Sequence, residues 1–515
     1  MEHKQPRINP VCHQAWQPRS TLDKAMDAIR EMPPTDLLAG AALVACVFLA
    51  LIAAFRRSPK NAPPVVRMGV PVFGNFAAFI RSPLNMIREC YEKYGAVYTV
   101  PLMGFNFTFL VGPEAQAPFF KLNDETMSQN EVYARYTKPV FGADVVYAAD
   151  PKKRNQQMQH MAYGLRTARL KSYVPMIEKE TRNFLKSWGD SGEVDLASAL
   201  SRLTILTASR CLHGDEVREN LFEEVARLFH DLDEGMTPLS VFLPHAPIPA
   251  HFRRDKARKE MVTVLSSVIR ARRAEQASGT STVEKTDLLQ VFVDMKYKDG
   301  STNTDDQVVG LLIALLFAGQ HTSSITSTWT TLLTTRDPKM LERLLEEQET
   351  VLKDTQNTPL TWEHLGEMEL LHDCMRETLR MYPPLILLLR LAKKDFTVTS
   401  KGQSFTVPKG HFVGTSPHVA MRLPTVFKNP DEFDPDRFGP ERQEHKQPFA
   451  YLGFGAGMHQ CMGQQFAFVQ VKTILSVLLR EYKIEMVGEL PPSDFNAMVV
   501  GPKGKCTVRY TKKTA

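Results

Sequence analysis

Phe454-Gly455-Ala456-Gly457-Met458-His459-Gln460-Cys461-Met462-Gly463 runs directly into the helical pattern QQFAFVQVKTILSVLL, which starts at Gln464. The underlying spelling, F-x-x-G-x-x-x-C-x-G, arises by chance in about one in a thousand chains of this length and composition. Its glycines permit a tight loop whose backbone can come close to a large flat ligand. Cys461 stands where that loop feeds a helix N-terminus, and the dipole and free N–H groups there favour thiolate over thiol. The other six cysteines, Cys12, Cys46, Cys90, Cys211, Cys374 and Cys506, form no C-x-x-C pair. Their spacing therefore offers neither a zinc site nor a disulfide framework. A thiolate without such partners suggests an axial ligand to haem iron, a ligand that pushes electron density towards the metal. The bland alternative is a buried, inert cysteine.

The chain around this loop has 515 residues, 43% hydrophobic, 23% charged and 9% aromatic. That length and composition support a large core and exclude disordered, collagen-like and disulfide-scaffold classes. Lys+Arg number 63 against 57 Asp+Glu, a net charge of +6. The densest basic run, Arg253-Arg254-Asp255-Lys256-Ala257-Arg258-Lys259, carries no aromatics. It is expected to be a solvated helix face, so no nucleic-acid partner is expected.

From Leu37 to Phe55 run nineteen residues without a charge, LLAGAALVACVFLALIAAF. As a helix they span roughly 29 Å, close to the hydrocarbon thickness of a bilayer. The 36 polar, charge-mixed residues before them are unlike a cleaved signal peptide, and Glu2, Asp23, Asp27 and Glu31 are unlike a mitochondrial leader. A single membrane anchor is the expectation, with a buried core helix as the alternative. Arg56, Arg57 and Lys60 directly after it place the rest of the chain on the cytoplasmic side. Pro63, Pro64 and Pro71 then enforce an extended path. The organisation expected is an N-terminal tail (1–36), a transmembrane anchor (37–55), a proline-rich linker (56–75) and one catalytic domain (76–515).

Within that domain helical periodicity dominates, at Leu221–Asp231, Lys256–Gln276, Asp306–Thr335, Lys339–Lys353 and Gly366–Met381. Short strands are expected at Ala96–Pro101 and Phe105–Val111, and a hairpin over Val499–Tyr510 around Gly501-Pro502-Lys503-Gly504. The fold class is mainly α with small β-sheets. Thr304-Asp305 can cap a long helix whose first half, VVGLLIALLF, is apolar on nearly every side. Its centre, Ala318-Gly319-Gln320-His321-Thr322, turns abruptly small and polar, although Gly319 costs about 1 kcal/mol against Ala there. Small residues let another molecule approach a helix backbone; a core helix with a polar patch is the competing reading.

Taken together, the cysteine loop and the A-G-x-x-T centre at Ala318–Thr322 resemble the cytochrome P-450 superfamily of haem-thiolate monooxygenases. Glu377-Thr378-Leu379-Arg380 and Pro435-Asp436-Arg437-Phe438 fit the same family, in which Glu377, Arg380 and Arg437 would form a buried ion network. The resemblance narrows to the sterol 14α-demethylases through Phe317–Ser324, through Tyr133–Gly142 with Val146-Tyr147, and through Asp231-Leu232-Asp233-Glu234-Gly235. It covers roughly Pro63 to the C-terminus and implies the cytochrome P-450 fold in a single catalytic domain.

The resemblance also implies roles. Cys461 would ligate the iron of haem b, with Phe454 and Gly455 in the cofactor loop. Tyr133, Tyr147, Arg390 and His459 would hold its propionates, since a buried dianion requires charge-assisted partners. Thr322 would help protonate bound O2, and His321 paired with Asp233 would form a proton-delivery route, imidazole being suited to relays near neutrality. Phe141, Ala318, Leu387 and Met498 would line an apolar cavity for a sterol. Three positions depart from the family pattern: Ala148 replaces an Asp after Tyr147, Met458 and Gln460 replace basic loop neighbours, and the basic contact expected near Met158 is missing, with Arg154 the candidate substitute. The implied activity is removal of the 14α-methyl of lanosterol- or obtusifoliol-type sterols in three NADPH- and O2-dependent oxidations, releasing formate. NADPH-cytochrome P-450 reductase would supply electrons at the endoplasmic reticulum membrane. A hydroxylase of another lipid and a non-catalytic haem-binding sterol carrier are the rival readings, separated from it by product analysis and coupled NADPH use.

Overall fold

The computed structural model describes residues 59 to 513, without 60, 69–72, 238–239, 242, 280–284, 286, 354–357 and 496. The expected tail (1–36) and anchor (37–55) lie outside the described residues. From Asn61 onward the chain forms one compact unit. That unit begins inside the expected linker. The Thr99 N–H donates to the Pro64 carbonyl and the Val66 N–H to the Thr99 carbonyl, both at 2.8 Å. Prolines that keep a segment extended also leave its free carbonyls ready to pair with a sheet edge.

Among the described residues ten strands form three small sheets. The largest has the order β1 (Val97–Leu102), β2 (Phe105–Leu110), β8 (Phe412–Thr415), β5 (Leu388–Ala392), β3 (Met127–Ser128). The first pair is antiparallel, with Val97 opposite Leu110 and Leu102 opposite Phe105 about the Met103-Gly104 turn, as expected. A second sheet orders β4 (Ser191–Asp195), β10 (Thr507–Lys512) and β9 (Tyr482–Met486), and β6 (Phe396–Ser400) pairs with β7 (Gln403–Val407). The expected hairpin over Val499–Tyr510 is not formed. Residues 492–503 close on themselves through Asp494 N–H to Gly501 O and Lys503 N–H to Pro492 O, both 2.8 Å. Only Thr507–Lys512 is left to pair, with β4 and β9.

The helices expected from periodicity are present as Phe222–Glu234, Pro249–Ser278, Asp305–Arg336 and Pro338–Leu352. The fifth is broken at Met368 into Trp362–Glu367 and Glu369–Met381. Glu347 drives the break: its carboxylate accepts the N–H of Leu370 and, at 3.1 Å, of Leu371, capping donors that a new helix start leaves unpaired. The basic run Arg253–Lys259 is also not the uniformly solvated face expected of it. At 100° per residue seven helical positions sweep every side, and Arg254 and Arg258 turn inwards, 0% and 8% exposed. Arg254 Nη1 donates to the Pro244 carbonyl, and Arg258 Nη2 to the Phe141 carbonyl at 3.1 Å while pairing with Asp306.

Asp305–Arg336 is the spine. Thr304 caps it reciprocally: Gln307 N–H donates to Thr304 Oγ1, and Thr304 N–H to Gln307 Oε1. It is long and apolar enough to cross a membrane, yet 61% of its most apolar window is buried within the protein, so it is a core helix. It packs on Leu196–Ala208, Glu369–Met381 and Gln464–Glu481. Gly310 is required for one contact, because a Cβ there would lie 2.0 Å from the Phe141 carbonyl oxygen. Beyond the centre the hydroxyls of Thr326, Ser327, Thr328, Thr330, Thr331 and Thr334 each donate to the carbonyl four residues back, so polar side chains are buried without loss of pairing.

Behind the cysteine loop, Glu377, Arg380 and Arg437 are all 0% exposed. Arg380 Nε and Nη2 donate to the two Glu377 oxygens at 2.8 and 2.9 Å, and Arg437 Nε donates to Oε1 at 2.9 Å. The remaining guanidinium donors reach the carbonyls of Met421, Lys428, Asn429 and Glu432 and the Glu444 carboxylate. The pattern E-x-x-R with P-D-R-F thus closes into one network. Glu377→Gln leaves the buried Arg380 without a carboxylate and Arg437 with Glu444 alone, and is expected to cost about 3–5 kcal/mol, read as a fall in the denaturant midpoint of unfolding.

Candidate active site

The cysteine loop is held by its own backbone. Cys461 N–H donates to Phe454 O at 2.9 Å, Gly455 N–H to Leu452 O at 3.0 Å and Gln460 N–H to Gly457 O at 3.1 Å. Gly457 has φ +67°, and a Cβ on it would lie 2.1 Å from the Phe120 carbonyl oxygen, so both conformation and contact demand glycine. The Phe454 ring packs on Phe468 of the Gln464–Glu481 helix at 5.1 Å between centroids, which ties the loop to that helix. Of the described cysteines, Cys90, Cys211, Cys374 and Cys506 are buried and Cys461 is exposed. Its sulfur is open on one side but walled by protein on the others. Burial pushes the thiol up, and the Gly463 N–H only partly opposes it. Coordination to a metal cation removes the proton regardless.

Five expected or possible edge residues come together beside the loop. The rings of Tyr133 and Tyr147 stack at 5.0 Å. Leu389 N–H donates to the Tyr133 hydroxyl oxygen at 3.3 Å, so that hydroxyl keeps its own proton for another acceptor. Arg390 is 2% exposed and lies over the Phe119 ring at 4.4 Å. Burial pulls its guanidinium down to about 10, and Nη1 finds no acceptor among the described residues. His459 Nε2 lies 2.9 Å from Asp124 Oδ1, and Arg154 Nη2 lies 2.5 Å from Asp124 Oδ2. Met158 packs into the main core instead, so Arg154 is the cation that the helix Pro151–Gly164 offers on this side. Burial would raise the Asp124 carboxyl, but hydrogen bonds from His459 and Arg154 hold it down at about 2. Asp124, which reading the sequence missed, carries no motif: its partners are 30 and 335 residues away.

At the centre of the spine, Ala318 is exposed in a helix whose other exposed residues, Asp306 and Arg336, lie at its ends, and a Cβ at Gly319 would meet nothing within 4 Å. The Thr322 hydroxyl donates to the Ala318 carbonyl at 2.6 Å, and the helix runs through without a break. His321 Nε2 lies 3.1 Å from Asp233 Oδ1, too misaligned for a hydrogen bond, so the contact is electrostatic. The imidazole packs on Phe229 of the same helix as Asp233. Phe141 is buried with its ring 5.8 Å from Phe317, next to Ala318, and Leu387 joins the apolar cluster that includes Tyr133. Met498 is half-buried in the closed 492–503 loop, where Gly501 approaches Ile325 of the spine and Val500 N–H donates to Pro384 O.

A planar, acidic cofactor fits this donor set. It offers one exposed sulfur, glycine backbone where side chains cannot enter, a buried guanidinium N–H without an acceptor, a tyrosine proton to donate and an imidazole.

The cytochrome P-450 family matches residues 63–508. An obtusifoliol 14-alpha demethylase of Sorghum bicolor is 48% identical over 484 residues, covering 93% of this chain and 96% of that one. A sterol 14-demethylase of Arabidopsis thaliana is 44% identical over 491 residues (95% and 99%), and a lanosterol 14-alpha demethylase of Bos taurus 40% over 490 residues (93% and 95%). Among solved structures, the retinoic acid bound cyanobacterial CYP120A1 superposes with a TM-score of 0.74 at 22% identity, over 88% of this chain and 100% of that chain, a likeness of fold. With the cysteine loop, the buried Glu377 network and the opened spine in place, the chain belongs to the cytochrome P-450 family, among its sterol 14-demethylases.

Proposed function

We propose that this chain is a haem-thiolate monooxygenase that removes the 14α-methyl group of sterols of the lanosterol and obtusifoliol type, in three successive O2- and NADPH-dependent oxidations that release formate. The observation that carries the reading is the exposed Ala318 and open Gly319 in the middle of a buried helix, with His321 and Asp233 paired beside them. Haem bound through the Cys461 sulfur supplies oxygen activation and one-electron chemistry. Tyr133, Tyr147, Arg390 and His459 hold its acidic edge, with Phe454 and Gly455 shaping the loop beneath. Phe141, Ala318, Leu387 and Met498 bind a rigid apolar ring system and keep water from it. His321, beside the Asp233 carboxylate, would take a proton at Nε2 and release one from Nδ1 towards Thr322, whose hydroxyl the Ala318 carbonyl orients.

Electrons come from a redox partner, NADPH-cytochrome P-450 reductase in this reading. The stretch Leu37–Phe55 anchors the chain as a single pass in the endoplasmic reticulum membrane, with the catalytic domain in the cytoplasm and near a substrate that partitions into lipid. The test is reconstitution with reductase and NADPH. A thiolate-type spectrum of the reduced, carbon-monoxide-bound protein and formate release from lanosterol or obtusifoliol are expected; haem binding without demethylation of either sterol, or of related ones, sinks the proposal.

His321→Ala is expected to retain haem and the sterol-induced spectral change while losing turnover by about 10²–10⁴-fold, measured as product formed per NADPH consumed. Gly457→Ala drives a methyl into the Phe120 carbonyl. It is expected to lower haem content per polypeptide on purification, measured by the ratio of Soret to protein absorbance.

A further inference from the structure

The segment that leads into β3 grips the cysteine loop at two points. The Phe120 carbonyl fills the space beside Gly457, and four residues later the Asp124 carboxylate holds His459, two residues from Cys461. The other Asp124 oxygen takes Arg154, which is 5% exposed and whose second amino group donates to Asn130 Oδ1. Asn130 in turn donates to the Ala149 carbonyl at 3.4 Å. Asp124 therefore joins the cysteine loop to the helix Pro151–Gly164, and Arg154 carries the tie on to the start of the helix Asn130–Phe141 that carries Tyr133. Among the described residues no carboxylate forms an ion pair with Arg390, the remaining cation of the cluster, which feels the Asp124 charge only through space, and its Nη1 is left over.

We infer that Asp124 is the positioning residue of the cofactor edge: it fixes His459 and Arg154 in place and offsets one of the two guanidinium charges there, leaving Arg390 to meet the cofactor's acidic groups directly. This rests on the haem reading given above. The outer partners of a cofactor's contacts commonly change its affinity by 10- to 100-fold, although they touch neither metal nor substrate. Charge at the edge also acts on the iron, because reduction adds an electron close by and positive charge favours it.

The experiment uses the full-length holoprotein and two variants of opposite sign, Asp124→Asn and Arg154→Gln. Haem loss is followed as transfer to excess apomyoglobin, and the reduction midpoint is measured without sterol. Asp124→Asn is expected to keep a thiolate-type carbon-monoxide spectrum, release haem at least about 10-fold faster and shift the midpoint in the positive direction. Arg154→Gln is expected to speed haem loss too, but to shift the midpoint in the negative direction. Asp124→Glu, which keeps the charge, is expected to hold the midpoint near that of the unaltered protein. Either variant alone decides the matter if the other does not fold. Unchanged transfer rates, or midpoints that move in the same direction in both, overturn the inference. An unaltered protein that takes up no haem overturns the cofactor reading instead.

Discussion

Glu377 is a carboxylate with no access to water, and the geometry on the proximal side of the site depends on it. Two guanidiniums share its oxygens, and each of them also reaches carbonyls in the irregular stretch Met421–Glu432. That stretch has little regular hydrogen bonding of its own, so its course is set by what it can offer to Arg380 and Arg437. Taking three charges out of water costs several kcal/mol per ion, and only a complete set of partners offsets it. The network is therefore either whole or absent. Its wholeness fixes where the chain enters the segment that ends at Cys461.

The cysteine loop runs into the Gln464–Glu481 helix, and that helix packs on Asp305–Arg336, whose middle is opened at Ala318. The loop and the spine both depend on glycine for the same reason, a neighbour too close for a Cβ. At Gly457 the neighbour is the Phe120 carbonyl, and at Gly310 it is the Phe141 carbonyl. The helix Asn130–Phe141 is thereby seated on the spine at its end while its Tyr133 stacks on Tyr147 and accepts the Leu389 N–H.

What could be read in the sequence was what is local or spelled in a short pattern. The Cys461 loop, the spine with its Thr304 cap, the Glu377–Arg380 turn and the β1–β2 pair all declare themselves within a dozen residues. The misreadings share a different cause. Arg254 and Arg258 look like surface residues until Phe141, Pro244 and Asp306 are brought to them. The break at Met368 is created by a carboxylate from another helix, Glu347. Pro64–Val66 reads as a connector because its partner, Thr99, is remote. Asp124 is the extreme case: no spacing rule links it to Arg154 and His459, and only the folded chain puts them on one carboxylate.

The spine carries an 18-residue window with a mean hydropathy of 1.6, comparable to a bilayer-spanning segment. During synthesis its partner Leu196–Ala208 has already emerged, whereas Gln464–Glu481 has not. For that interval the nascent polypeptide displays an insertable stretch whose fate is decided by how quickly it collapses onto the earlier helix. A substitution that loosens the contact with Leu196–Ala208 is therefore felt first in how much protein folds, before it is felt in what the folded protein does.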